Sequence, residues 1–267
     1  MRFAIDVAPL GEYADPRRIV ELAVAAERAG WDGLSTWDVL GIGLGAPAAD
    51  PFLSLAAVAA ATERLRLITS VIVLPRRRPQ LVAQAAATLD AMSGGRLTLG
   101  IGAGGDPADF TTFGETFESA PRVARLDEDA ARLDGWLRAD GSPRLGPGPV
   151  QEPRMPMWVG GARPGALRRA ARYEGWIAVA TGEDFETMLV SPDDIAARVA
   201  TIRDERAAGG RGDEPFDVGL FAHSEAGDGA LVAAYGAAGV TWWLESLSPL
   251  RGSHEELLAR VTAGPAR

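Results

Sequence analysis

Residues 66–101 read RLITSVIVLPRRRPQLVAQAAATLDAMSGGRLTLGI and hold a complete strand, helix and strand unit. Residues 66–73 are rich in β-branched and aliphatic side chains, a composition that favours a buried strand. Pro79 is placed to open a helix that we expect to end near Met92, because Gly94 and Gly95 follow it. Residues 96–101 then form a second apolar run. Two strands joined by a helix predict a parallel pair.

The same alternation continues along the whole chain. We predict eight strands, each followed by a helix, at residues 3–7, 33–37, 66–73, 96–101, 157–159, 176–180, 216–222 and 240–244. Eight such units in 267 residues fit an α/β fold of the closed (β/α)8 TIM-barrel type. A doubly wound open sheet is the alternative, and the lack of a composition break between two halves disfavours it. We therefore predict a single domain over residues 1–267, with any active site at the C-terminal ends of the strands.

Composition narrows the classes of function. The chain has 36 acidic and 27 basic residues and a formal net charge of −9, which disfavours binding to a nucleic-acid backbone. It contains no cysteine, so disulfides, thiolate metal sites and a cysteine nucleophile are excluded. Charged residues interrupt every apolar stretch before it could span a membrane, and the N-terminus lacks the pattern of a signal peptide. We expect a cytoplasmic protein that binds a small-molecule substrate, not nucleic acid or membrane.

Three glycine-rich segments follow predicted strands. GIGAGG at residues 100–105 has the spacing of a dinucleotide-binding loop, but Asp106 and Pro107 follow where a helix should begin. Two interpretations of it stay open: close approach of the backbone to a flat ligand, or a tight turn. GGARPG at residues 160–165 precedes a helix and includes Arg163, which favours a phosphate site over an ordinary connection. GIGLG at residues 41–45 predicts a flexible loop suited to act as a lid.

Ionisable side chains fall at the ends of four predicted strands, namely Asp6, Asp38, His223 and Glu245. Each is suited to acid–base chemistry, although a carboxylate there often only accepts hydrogen bonds from a loop. We expect the other histidine, His254, at the surface, and two isolated histidines give no metal site. Most of the tryptophans near strands should belong to the core, with one or two lining a ligand pocket, from the set Trp37, Trp158, Trp176, Trp242 and Trp243.

The chain resembles the luciferase-like monooxygenase family, the flavin- or deazaflavin-dependent barrel oxidoreductases. The resemblance lies in AAATERLRL at residues 59–67, PQLVAQ at 79–84, LDAMSGGRL at 89–97, GIGAG at 100–104 and PMWVGG at 156–161. Further matching residues extend from AAERAG at 25–30 to Trp176, and more weakly to WWLE at 242–245.

This resemblance implies a reduced flavin or coenzyme F420 in the barrel mouth. The ring would lie over the third strand, where members often have a non-prolyl cis peptide, and Ser70-Val71 is the matching pair. The phosphate tail would meet the loop at residues 160–163. The candidate cofactor-binding residues are Asp6, Ser70, Val71, Gly102, Gly104, Gly105, Trp158, Gly160, Gly161, Ala162 and Arg163. The candidate catalytic residues are Asp38, His223 and Glu245.

The chain departs from the family pattern in three ways. Val39 follows Asp38 where many members have histidine, Glu174 precedes Gly175 where members commonly have aspartate, and the chain is short for the family. The short length predicts trimmed loops and a more open pocket.

Our main hypothesis is an FMN-dependent monooxygenase that uses O2 and receives reduced flavin from a separate reductase. The alternatives are an F420-dependent dehydrogenase or reductase, and a flavin-binding barrel without catalysis. The resemblance also implies a homodimer.

Overall fold

The computed structural model describes residues 1–182, 187–225 and 228–266. Within these residues the strands are β1 (Arg2–Val7), β2 (Gly33–Thr36), β3 (Arg66–Thr69), β4 (Ile72–Val73), β5 (Leu97–Gly102), β6 (Met157–Gly160), β7 (Gly175–Val179), β8 (Asp217–Ala222) and β9 (Trp242–Leu247). All pair in parallel in the order β3-β2-β1-β9-β8-β7-β6-β5-β4, and β3 also pairs with β5, which closes the sheet. Because β3 and β4 are two parts of one barrel strand, this is an eight-stranded barrel. The predicted (β/α)8 fold is confirmed.

Helices cover the outside of the barrel. Those described are α1 (Pro16–Arg28), α2 (Pro51–Ala61), α3 (Pro79–Met92), α4 (Ala108–Thr111), α5 (Ser119–Trp136), α6 (Pro164–Ala170), α7 (Pro192–Ala208), α8 (Gly229–Ala237) and α9 (His254–Thr262), with 3-10 turns at Gly11–Ala14 and Leu74–Arg76. Local chemistry sets several starts. Asp50 accepts hydrogen bonds from the first N–H groups of α2, and Ser191 and Ser253 form capping boxes on α7 and α9. None of the described helices is long and apolar enough to cross a bilayer.

The barrel interior is a packed core and not a channel. Its apolar layer consists of Ala4, Ile68, Trp158, Ile177, Trp242 and Leu244. The Trp158 and Trp242 rings meet edge to face, with centroids 6.0 Å apart. Glycine at position 175 makes room for the Trp158 indole, since a Cβ there would collide with it. A ligand must therefore bind above this layer, at the C-terminal mouth.

Arg96 explains part of the sequence pattern shared with the family. Its guanidinium donates hydrogen bonds to the carbonyl oxygens of Ala59 (3.0 Å), Thr62 (2.9 Å), Leu65 (3.0 Å) and Ser93 (2.8 Å). These contacts tie the end of α2 and the residue after α3 to the start of β3. The most specific stretch of the resemblance thus holds two neighbouring helices on the barrel wall.

One sequence prediction was wrong. His254 is not a surface residue but is 9 % exposed, with its Nδ1 3.2 Å from the Tyr13 hydroxyl and its Nε2 2.9 Å from the Glu21 carboxylate. The reason is barrel closure: β1 pairs with β9, so the first and last helices become neighbours. Nothing in the local sequence of α9 indicates a partner more than 230 residues away.

Candidate active site

A cavity of about 210 Å³ opens beside the C-terminal ends of β2, β4 and β5. Its lining consists of Trp37, Asp38, Val39, Ser70, Val71, Val73, Arg76, Gly104, Gly105, Asp106, Asp109 and Phe110. Five predicted site residues are thus brought together, from three separate parts of the chain. A larger groove of about 850 Å³ lies on the outer surface between α3 and α5. We regard the mouth cavity as the candidate site because catalytic groups of this fold lie at the strand ends.

The Ser70-Val71 peptide bond is cis, as the family resemblance predicts. It separates β3 from β4 and places Val71 against two glycines on neighbouring strands. A Cβ at Gly102 would lie 2.5 Å from one Val71 methyl, and a Cβ at Gly160 would lie 3.0 Å from the other. These two glycines therefore make room for Val71. The sequence left open why residues 100–105 are rich in glycine, and the contact with Val71 accounts for Gly102.

Asp6 lies just below this bulge and is fully buried. Its carboxylate accepts hydrogen bonds from the hydroxyl of Ser35, the hydroxyl of Ser70 (2.6 Å) and the indole N–H of Trp37. Burial raises the pKa of Asp6 to about 6, although these three donors act in the opposite direction. Asp6 thus holds Ser70 and Trp37, both of which line the cavity.

Asp38 is the centre of an ion-pair network. Arg76 Nη2 lies 2.6 Å from its Oδ1, and Arg77 Nε lies 2.8 Å from its Oδ2. The backbone N–H of Val73 donates to the same Oδ2 at 2.9 Å. Both carboxylate oxygens are therefore engaged. The network fixes the end of β2 against β4 and the turn that follows it.

Asp109 completes this network and was not anticipated from the sequence. Its Oδ2 accepts from Arg76 Nη1 at 2.6 Å and from the backbone N–H of Leu40 at 2.9 Å. It lies in the four-residue helix α4, within the segment that follows β5. A carboxylate after a strand was a usable signal, but its partners lie 33 and 69 residues away along the chain.

Glu245 does not line the cavity. Along β9, Trp242 and Leu244 fill the barrel interior, so Trp243 and Glu245 lie on the outer side. There Glu245 accepts hydrogen bonds from the N–H and hydroxyl of Ser224 at 3.1 and 2.5 Å, and its Oε2 lies 3.5 Å from Arg260 of α9. Burial raises the pKa of this carboxyl, but contacts with His223, Arg260 and Ser224 leave it lowered overall.

His223 follows β8 and is 12 % exposed through its side chain. Its Nδ1 lies 3.3 Å from Glu245 Oε1, and its Nε2 lies 3.1 Å from Glu225 and 3.3 Å from Arg251. Phe221, two residues earlier, packs against Trp37 with ring centroids 5.6 Å apart. His223 and Glu245 therefore form a second polar cluster, between the end of β8 and β9, that is separate from the residues lining the cavity.

The loop at residues 160–163 joins β6 to α6 and is largely exposed. Gly161 has φ +126°, a conformation that favours glycine, and its carbonyl accepts from the Trp176 indole at 2.7 Å. Arg163 is the exposed N-cap residue of α6. Trp158, by contrast, is 1 % exposed in the barrel core, so its ring is not presented at the mouth.

The described residues contain no group of three or more histidine, aspartate or glutamate side chains placed to hold a metal ion. A flavin-type ring fits the mouth cavity better. Gly105 lines the cavity, and a Cβ there would meet no described atom within 4 Å, so the backbone leaves open space beside Val71. The apolar surfaces of Val71 and Phe110 are suited to the faces of a flat aromatic ligand.

The chain belongs to the luciferase-like monooxygenase family, whose family model matches residues 2–257. An uncharacterised protein of Mycobacterium tuberculosis is 32 % identical over 215 residues, which are 70 % of this chain and 71 % of that protein. The 4-hydroxyprotoasukamycin monooxygenase of Streptomyces nodosus is 34 % identical over 187 residues, 64 % of this chain and 49 % of the relative. The family predicted from the sequence is confirmed.

Solved structures show the same fold at low identity. An F420-dependent secondary alcohol dehydrogenase, in complex with an F420-acetone adduct, matches 100 % of this chain and 99 % of its own, with a TM-score of 0.82 and 15 % identity. The oxygenating constituent of 3,6-diketocamphane monooxygenase from Pseudomonas putida, a type II Baeyer-Villiger monooxygenase in complex with FMN, has a TM-score of 0.61. It is 16 % identical and matches 82 % of this chain and 66 % of its own. These likenesses show that the chain shares its fold with these two enzymes.

Proposed function

We propose that the protein is an FMN-dependent monooxygenase that acts on a small organic substrate with O2. The observation that carries this proposal is the open cavity beside Ser70 and Val71, bordered by Gly104 and Gly105. The reduced ring of FMN supplies the electrons for the reaction when it is bound. Because the GIGAGG loop accommodates Val71 and is not followed by a dinucleotide-binding helix, a separate reductase would deliver reduced flavin.

The chain's own residues would bind the cofactor and exclude water. Val71 would pack against the ring, and Asp6 would keep Ser70 and Trp37 in place around it through the hydrogen bonds described above. Gly160, Gly161, Ala162 and Arg163 would receive the phosphate, with Arg163 as the exposed cation of that loop. Val39, Val73 and Phe110 would add apolar surface that excludes water, beside the charged lining residues Asp38, Arg76, Asp106 and Asp109.

Charge near that loop supports FMN over F420. The acidic tail of F420 would need several available cations, but Arg169 and Arg172 both bind the Asp127 carboxylate. Arg163 and Arg168 remain exposed, which suits the single phosphate of FMN. An F420-dependent dehydrogenase is the second candidate, and the match over whole chains to the F420-dependent alcohol dehydrogenase favours it.

For proton transfer we propose His223, with Glu245 behind its Nδ1 to fix the ring orientation. A histidine oriented by a buried carboxylate is a common arrangement for an acid or base. Asp38 would contribute by position, because its two arginine contacts hold the residues that flank the cavity.

We also propose a homodimer that forms through the outer surface of α2 and α3. Three large apolar side chains are more than half exposed there: Leu53 at 70 %, Leu81 at 58 % and Met92 at 52 %. Exposed apolar patches of this kind often mark contacts between subunits.

The test is a binding titration of the purified protein with FMN, reduced FMN and F420, followed by cofactor fluorescence. We expect micromolar or tighter binding of FMN or its reduced form. A clear preference for F420 would favour the second candidate, and binding of neither cofactor would refute both.

A further inference from the structure

Exposed apolar side chains are distributed unevenly between the two ends of the barrel. Six large ones, each more than two-fifths exposed, lie at the last residue of a strand or in the segments that follow strands: Ile42, Leu44, Phe113, Val179, Leu189 and Leu250. At the opposite end, among the described residues, three are exposed to this degree: Met1, Met92 and Val150. We call the six residues the apolar rim. Isolated exposed apolar residues are common, but this concentration at the end that bears the cavity indicates a binding surface.

The segment at residues 40–46 carries two members of the rim and is anchored beside the cavity. The Leu40 N–H donates to Asp109, and the Ala46 N–H donates to the Gly41 carbonyl at 3.1 Å. Gly43 lies against the Asp106 carboxylate so closely that a Cβ would collide with it. The base of the segment is fixed in this way, while the side chains of Ile42 and Leu44 are 42 % and 52 % exposed.

The charges around the cavity disfavour an anionic ligand. Three carboxylates line it, from Asp38, Asp106 and Asp109, and among the described lining residues Arg76 is the single cation. Arg76 is already bound by Asp38 and Asp109, each at 2.6 Å, so its charge is not available to a ligand. A negatively charged substrate brought into this space would be repelled by these carboxylates.

The size of the cavity limits what can enter it. At about 210 Å³ it is smaller than the roughly 300–1,000 Å³ of typical ligand pockets. A cofactor ring and a large substrate cannot both be enclosed there. The part of a substrate that does not react must then lie outside, on the surface that surrounds the mouth.

We propose that the substrate is a neutral, predominantly apolar molecule whose reacting end enters the cavity and whose remainder lies on the apolar rim. This proposal rests on the proposed function, and it adds the chemical class of the substrate and the residues that select it. Ile42 and Leu44 are the selecting residues on one side of the mouth, and Val179 and Leu189 are those on another.

The test is a calorimetric binding series on the protein loaded with whichever cofactor binds. The neutral ligands are 2-alkanones from acetone to 2-decanone, and the charged ligands are alkanoates of the same carbon numbers. We expect affinity for the ketones to rise about two- to fourfold with each added methylene, as burial of CH2 groups predicts. Each alkanoate should bind at least tenfold more weakly than its ketone.

Two variants locate the effect. Ile42→Ser with Leu44→Ser should reduce the gain per methylene to less than half, whereas Val150→Ser, a change of a comparably exposed apolar residue at the opposite end, should leave it unchanged. Equal binding of alkanoates and ketones, a flat series, or the same slope in both variants would overturn the proposal. If neither cofactor binds, the proposed function fails, whereas cofactor binding with a flat ketone series refutes only the substrate class.

Discussion

Asp6 offers a prediction that requires neither cofactor nor substrate. Replacing it by asparagine keeps the shape of the side chain but removes its ionisation. In the folded protein, burial raises the pKa of Asp6 from 3.8 to about 6, so folding favours the protonated carboxyl. Its contribution to stability is therefore complete below pH 3.8 and disappears as the pH rises through about 6.

The size of the effect follows from the shift. A rise of about two pKa units corresponds to about 3 kcal/mol between the fully protonated and fully ionised limits. Over a practical range from pH 4.5 to pH 8, the linkage relation gives about 2 kcal/mol. Other carboxyls, among them Glu174 and Asp127, have lowered pKa values, so their contribution to the stability of the protein decreases as the pH falls. A comparison with Asp6→Asn separates the contribution of Asp6 from theirs.

The assay is urea unfolding followed by circular dichroism at several pH values. The free energy of unfolding of the Asp6→Asn variant, relative to the natural protein, should rise by about 2 kcal/mol from pH 4.5 to pH 8. Thr201→Ala, which changes an exposed uncharged side chain on α7, should give a difference that does not vary with pH. A difference for Asp6→Asn that is flat, or that falls over this range, would refute the reasoning.

Three further predictions concern the other parts of the site and the assembly. Asp38→Asn should lower the free energy of unfolding by about 3 kcal/mol, because two buried or half-buried guanidinium groups lose a charged partner. Urea unfolding measures this loss, with Asp204→Asn, a change of an exposed carboxyl on α7, as the control; a loss below 1 kcal/mol would contradict the prediction. His223→Gln should reduce turnover at least tenfold without changing cofactor affinity, whereas Glu255→Gln, a change of an exposed carboxyl on α9, should change neither; equal turnover in the two variants would remove His223 from the mechanism. Leu81→Glu should halve the mass measured by light scattering, while Val150→Glu leaves it unchanged; a natural protein that is already monomeric would refute the proposed dimer.

The alternation of strands and helices was sufficient to predict the barrel. Buried parallel strands and amphipathic helices differ in length and flanking residues, and glycine or proline marks most boundaries. The interruption at Ser70-Val71 was accessible only through the family resemblance, because residues 66–73 read as one continuous apolar run.

The orientation of site residues was harder to predict. Glu245 follows Trp242, Trp243 and Leu244, and both sides of β9 are apolar, so periodicity does not indicate which side the carboxylate occupies. The partners of Asp38 and Asp109 come from the segment after a neighbouring strand, so their ion pairs depend on strand pairing, which the local sequence does not show. Sequence reasoning thus located the residues at the correct end of the barrel but not their contacts.

The central claim is that a flavin-type cofactor binds in the cavity between Val71 and Gly105. Gly105→Leu tests it directly, since Gly105 lines the cavity and a Cβ there would meet no described atom within 4 Å. Gly135→Leu is the matched control, because a Cβ at Gly135, on α5, also meets no described atom within 4 Å. We expect a fluorescence titration to give equal affinity for the natural protein and Gly135→Leu, and at least tenfold weaker binding for Gly105→Leu. Equal affinity in all three proteins would place the cofactor elsewhere and contradict the account.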